Sequence, residues 1–203
     1  AGTTLIMTAL ATESDGPAGW RMSDAVRMLN SQEALEVIEK TVLKWNKPEN
    51  LFGAYWALLG LAGQNNAQAD VIVRKAIEES KDDDIYLRSA ALEAMAGAKR
   101  TDMADMLLKV LKTYTTDWDE GSPIIALTCI QAAPRMVGNS DTKMRNDVVL
   151  ALADILNLTK DDRIQWFTCM ALSKITGEDT YIDATFWRWW VEQGGKKVER
   201  RDT

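Results

Sequence analysis

The stretch DDDIYLRSAALEAMAGAKRTDMADMLLKVL, Asp82–Leu111, reads as two short antiparallel helices joined by a tight turn. Asp82, Asp83 and Asp84 open the first helix, where a carboxylate caps free backbone N–H groups and meets the positive end of the helix dipole. Leu87, Ala91, Leu92, Met95 and Ala98 then recur at spacings of three and four, so they share one face. Ala90, Ala91, Ala94 and Ala96 are small enough to let a neighbouring helix approach closely. Lys99 and Arg100 put positive charge at the helix C-terminus, and Thr101 is placed to cap a second helix with the stripe Met103, Met106, Leu107, Val110 and Leu111. Each helix is too short to be stable alone in water. The pair carries apolar surface on more than one side, which stacking further hairpins would bury.

Working outward, the whole chain supports an all-α reading. Its 203 residues include only 4 prolines and 12 glycines, and 46% are hydrophobic, enough for a substantial core. The 30 acidic against 24 basic residues give a net charge of −6, which argues against nucleic acid or an anionic membrane as the main partner. The chain has no histidine, so a Ser-His-Asp or Cys-His triad within it is excluded, and so is a histidine-ligated metal. Cys129 and Cys169 both fall in predicted helices, where side-by-side packing at about 8–10 Å suits two buried free thiols better than a bridge. No stretch reaches the roughly 20 apolar residues of a membrane span. The start at Ala1 rather than Met reads as a processed end, so cytoplasm and export with a removed signal both stay open.

In chain order, residues 1–20 read as an irregular lead-in or short helix broken at Gly16-Pro17, with Trp20 placed to fold over the first hairpin. Ser23 is expected to cap a short helix through Leu29, and Ser31 to open its partner, with Leu35, Ile38, Val42 and Trp45 inward. Leu51–Gly63 and Ala67–Ser80 form the next pair. After the polar interruption Thr113–Ser122, Pro123 fits the first turn of a helix to Val137, partnered by Asp141–Leu158. Asp161–Thr176, stopped by Gly177, pairs with Ile182–Glu192. The expected layout is therefore a single domain over residues 21–193, with a charged tail at 194–203.

Ala57, Ala91, Cys129 and Ala171 occupy equivalent places in the first helices, at spacings of 34, 38 and 42 residues. Irregular spacing indicates variable loops on a repeated hairpin. Asp84, Arg88 and Ala90-Ala91-Leu92 together resemble a HEAT-like repeat of the armadillo type, which implies that Arg88 braces Asp82 or Asp84 in a structural ladder. Ala54, Ala126 and Thr168 stand where Arg88 stands in the other repeats, so the ladder is not continuous. Ile175-Thr-Gly-Glu-Asp-Thr-Tyr followed by Phe186-Trp187-Arg-Trp-Trp190 is similar to the Trp-rich closing unit of bacterial HEAT-repeat proteins. The resemblance implies a right-handed α-α superhelix, a solenoid of about five helical hairpins. It brings no catalytic residues and no cofactor.

Candidate contacts lie away from the anchor. Asp117, Asp119 and Glu120 flank Trp118 in the longest loop, which makes that loop the best candidate for a partner contact. DWDEG lacks the remaining ligands of a calcium loop, so solvated carboxylates are the simpler reading. In the last helix, Trp187 and Trp190 are expected to seal the end of the core, while Trp189 points elsewhere and offers an exposed contact. The expected function is a non-enzymatic protein–protein interaction or scaffold module, with acidic charge favouring a basic or neutral protein partner. Trp189 is also a cue for a homodimer. The alternative is an enzyme on the same scaffold, since HEAT-like folds include lyases and DNA glycosylases; the acidic charge and the lack of histidine disfavour it.

Overall fold

The computed structural model describes residues 2–13, 15–78, 85–116, 123–137, 142–179 and 181–196. The protein is all-α: among the described residues there are helices and no strands. The chain divides into two compact units, Ala1–Arg100 and Thr101–Thr203.

The first unit contains α1 (Gly2–Leu10), α2 (Gly16–Met28), α3 (Gln32–Val42), α4 (Leu51–Ala62), α5 (Ala67–Glu78) and α6 (Ile85–Gly97), with a 3-10 turn at Pro48–Asn50. Its hub is α4, LFGAYWALLGLA, a helix apolar nearly all round and therefore buried on most sides. It packs against α6 and α2 above all, and also against α5, α1 and α3. Glycine makes the closest crossings. A Cβ at Gly60 would stand 2.5 Å from the backbone oxygen of Ser23, and one at Gly53 would collide with the backbone oxygen of Leu10.

The short-helix reading of the N-terminal segment holds at α1, where Met7 and Leu10 are fully buried, and three other expectations there are corrected. Gly16-Pro17 begins α2 rather than breaking a helix. Asp15 caps it by accepting from the Ala18 N–H, and proline at the first turn lacks only an N–H that would have gone unused. Ser23 consequently lies mid-helix and buried under α4, with no capping role. Trp20 does not fold over as a cover: it is 57% exposed and meets Trp56 edge-on at 6.4 Å.

The second unit contains a 3-10 turn at Thr101–Met103, then α7 (Ala104–Thr116), α8 (Pro123–Val137), α9 (Thr142–Leu158), α10 (Asp162–Thr176) and α11 (Ala184–Glu192). Here α9 is the hub, packing against α7, α8, α10 and α11. Asp161 caps α10 through the Arg163 and Ile164 N–H groups, and Gly177 ends it at φ 76, a left-handed conformation that glycine adopts without cost. Pro134 sits inside α8, which runs on to Val137.

The contacts have a common parity within each unit. In the first, α2 packs on α4 and α4 on α6, while α3 packs on α5. In the second, α8 packs on α10, while α7 packs on α9 and α9 on α11. First helices thus meet first helices and second helices meet second helices. Ala57, Ala91, Cys129 and Ala171 are all buried in the first-helix layers.

Candidate functional site

The last helix is amphipathic by aromatic placement. Asp183 caps α11 through the Thr185 N–H, which fixes where the helix starts and hence which way each indole points. Trp187 and Trp190, three residues apart, are both 0% exposed. Each indole N–H is satisfied inside: Trp187 Nε1 donates to the Tyr181 carbonyl at 3.0 Å, and Trp190 Nε1 to Glu178 Oε1 at 3.2 Å. Arg145 of α9 lies 5.5 Å from the centre of the Trp190 ring and donates to the Gly195 carbonyl.

Trp189 is 43% exposed on the outer side of α11. It is supported from below by rings: Phe186 lies 5.9 Å from it, and Tyr181 lies 4.1 Å from Phe186. Ile182, next to Tyr181, is 68% exposed. The Cys169 thiol donates to the Tyr181 carbonyl at 3.3 Å, tying this aromatic set to α10. One turn before Cys169, α10 presents Trp166, 61% exposed, and Phe167. The aromatic backing under the outward Trp189 indole is the kind of surface that supplies binding anchors at low entropic cost.

A second feature of the same unit is an open groove between α7 and α9. Asp105, Leu108, Lys109, Lys112, Thr113 and Met144 line its approximately 540 Å³. A smaller hollow of about 170 Å³ lies between Tyr114 and Pro123 on one side and Thr159, Asp161 and Ile164 on the other. In the first unit a hollow of about 270 Å³ is bordered by Trp20, Asp24, Arg27 and Arg100.

Asp117, Trp118, Asp119 and Glu120 lie outside the described residues, as does Asp84. Arg88 is half-buried on α6. The ion pair that braces the first unit involves a residue that the repeat pattern passed over. Arg100, 7% exposed, grips Asp70 of α5 through both guanidinium nitrogens at 2.6 and 2.8 Å, and donates to the Ala62 carbonyl at the end of α4 at 2.9 Å. The signal available in sequence was the acid in the first turn of α5 and an arginine just past α6, a pairing that only the packing of α4, α5 and α6 brings together.

The electrostatics of the second unit are those of caps. The Arg163 guanidinium and N–H hold the Asp161 carboxyl below the usual carboxylate range, and hydrogen bonds from Thr185 do the same for Asp183. Burial pushes the Cys169 thiol up, away from the reactive thiolate. Cys129 and Cys169 are both free and buried. Among the described residues there is no group of three or more His, Cys, Asp or Glu able to hold a metal ion. No helix among them is long and apolar enough to cross a membrane. Compared with protein-family models, curated proteins and solved structures, the chain matches none.

Proposed function

We propose that this protein is a non-enzymatic protein-interaction module built on HEAT-like hairpins, with a right-handed α-α superhelical arrangement. The observation that carries the reading is a set of exposed apolar side chains in the second unit: Trp166 of α10, Ile182 just before α11 and Trp189 of α11 are exposed by 61, 68 and 43%, while Trp187 and Trp190 of α11 are fully buried. Exposed tryptophans on a rigid backing are costly to keep in water and are characteristic of contact sites. The layer parity within each unit supports the repeat reading, and the shallow α7–α9 groove is a surface feature of the sort that repeat proteins use. The partner is a protein, with a second copy of the chain as one candidate.

The test is a photo-crosslinking side chain placed at position 166 or 189, with position 36 on the exposed side of α3 as the control. Discrete adducts from 166 and 189 and none from 36 are expected in the native cell. An adduct made of two copies of the chain would identify a homodimer. Equal labelling at all three positions, or none, would remove the reading.

A further inference from the structure

The hollow in the first unit is lined along one side by a stripe of α2. Trp20, Ser23, Asp24 and Arg27 recur there at spacings of three and four, so they share a face of that helix. The rest of the lining comes from the C-terminal ends of α4 and α6, where the small residues Ala62, Gly63, Gly97 and Ala98 leave the space open.

Ser23 is the group that the fold does not use. It is 5% exposed, and its hydroxyl has no hydrogen-bond partner among the described residues. A hydroxyl inside a helix often donates to the carbonyl one turn back, as those of Thr128 and Thr168 do, but that of Ser23 does not. A buried polar group without a partner costs stability unless something from outside the chain supplies one. Ser23 lines the hollow, so the hollow is where such a partner sits.

The charges there cancel. The ionised groups that line the hollow are Asp24, Arg27 and Arg100. Arg27 pairs with Asp24 at 2.9 Å, and Arg100 is held by both oxygens of Asp70. Arg100 also meets the Ala62 carbonyl, which offsets the negative end of α4, and exposed Lys99 offsets that of α6. Arg21, the next residue on α2, falls outside the stripe. Neither an anion nor a cation therefore finds an unanswered opposite charge. The Asp24–Arg27 pair is half-exposed on both sides, so its oxygens and N–H groups remain open to hydrogen bonds from a neutral molecule.

What is left is an exposed indole with a mixed set of polar groups around it. Trp20 is 57% exposed, and Trp56 meets its ring edge-on at 6.4 Å. Asp24 only accepts, Arg27 only donates, and Ser23 and Asn65 do both. Neighbouring hydroxyls on a sugar ring each donate and accept, which answers all four, and one face of such a ring carries C–H groups that lie against an indole. At about 270 Å³ the hollow is slightly smaller than the roughly 300–1,000 Å³ sites of drug-sized ligands, which suits one ring.

We propose that this hollow binds a neutral pyranose, with Trp20 as the stacking platform and Ser23 as the buried hydroxyl contact. The site is separate from the exposed aromatic side chains of the second unit, and neither reading depends on the other.

The test titrates the full chain with the methyl glycosides of glucose, galactose, mannose and N-acetylglucosamine, each also as the non-reducing end of a disaccharide. Ligand-observed NMR and calorimetry read the binding. At least one ring is expected to bind, with an affinity that salt leaves unchanged, because no net charge is neutralised. Binding of the methyl glycoside alone identifies a free sugar, and binding of both forms identifies a glycan end. Trp20→Ala is expected to weaken binding about tenfold. Ser23→Ala is expected to weaken it roughly fivefold while the melting temperature stays equal or rises, since the hydroxyl removed is unpaired in the fold. Circular dichroism confirms that each variant is folded.

No binding by any of the glycosides, or binding that Trp20→Ala and Ser23→Ala leave unchanged, would overturn the inference. A Ser23→Ala variant that melts lower would also overturn it, because the hydroxyl would then serve the fold. So would N-acetyl-arginine amide or acetate binding in place of the sugars, since the hollow would then select a charge.

Discussion

At the scale of single residues, the first unit depends on what is missing as much as on what is present. Gly60 lets α4 lie against the backbone of α2, and a methyl there would meet both the Ser23 oxygen and Val26. Gly60→Ala is therefore expected to destabilise the protein by about 1–3 kcal/mol despite the better helix propensity of alanine. Gly16→Ala, where nothing lies within 4 Å, should stay within about 0.5 kcal/mol of the parent. Urea unfolding of both variants decides the matter, and equal midpoints would show that the α2–α4 contact is looser than described. The small residues at the first-helix positions were legible because alanine recurs there in sequence. The contact at Gly60 was not, since a glycine inside a helix pattern does not say which neighbour it admits. Arg100 was legible only as a charge suited to a helix end; its bidentate grip on Asp70 depends on three helices meeting.

At the scale of elements, helix starts explain both what could be read and what could not. Asp161 and Asp183 cap α10 and α11. Asp161 follows from its place before an apolar-periodic run. Gly16-Pro17 misleads because the pair is as common in turns as at helix starts, and Asp15 decides between them only once its carboxylate reaches Ala18. The carboxyls of Asp161 and Asp183 titrate below their ordinary range in the folded chain, each because of its hydrogen bonds. Such groups bind protons less readily folded than unfolded. Their contribution is fully present above about pH 4, the ordinary aspartate value, and is lost as pH falls through the lower folded values. The double variant Asp161→Asn, Asp183→Asn should thus be less stable than the parent at neutral pH, with the gap closing below about pH 4. Thermal unfolding across pH tests this, and a gap that widens in acid would refute the capping account.

At the scale of the whole molecule, the second unit carries its own reporters of opening. Cys129 and Cys169 are 0 and 2% exposed in α8 and α10, and burial further suppresses the Cys169 thiolate. Neither thiol is expected to react with a bulky disulfide reagent at about pH 8 except through unfolding, so labelling should accelerate in step with urea-driven loss of helix. Fast labelling in the native state would contradict the packing of α8 against α10. The outward Trp189 and inward Trp187 and Trp190 could be told apart in sequence by their spacing along one helix. Trp166 could not be singled out, because nothing in the α10 sequence says which of its sides α8 and α9 cover. The place where the first unit ends has a practical meaning. Arg100 is its last residue, and it closes the end of α4 while holding α5. A fragment cut after Arg100 keeps that clasp, whereas one cut after Lys99 leaves the Ala62 carbonyl and Asp70 without it. The shorter fragment should melt roughly 10–30 °C lower, for a loss of about 2–4 kcal/mol in a piece of this size. The single residue chosen at the scissors therefore decides whether a dissected N-terminal half is a sound object for study.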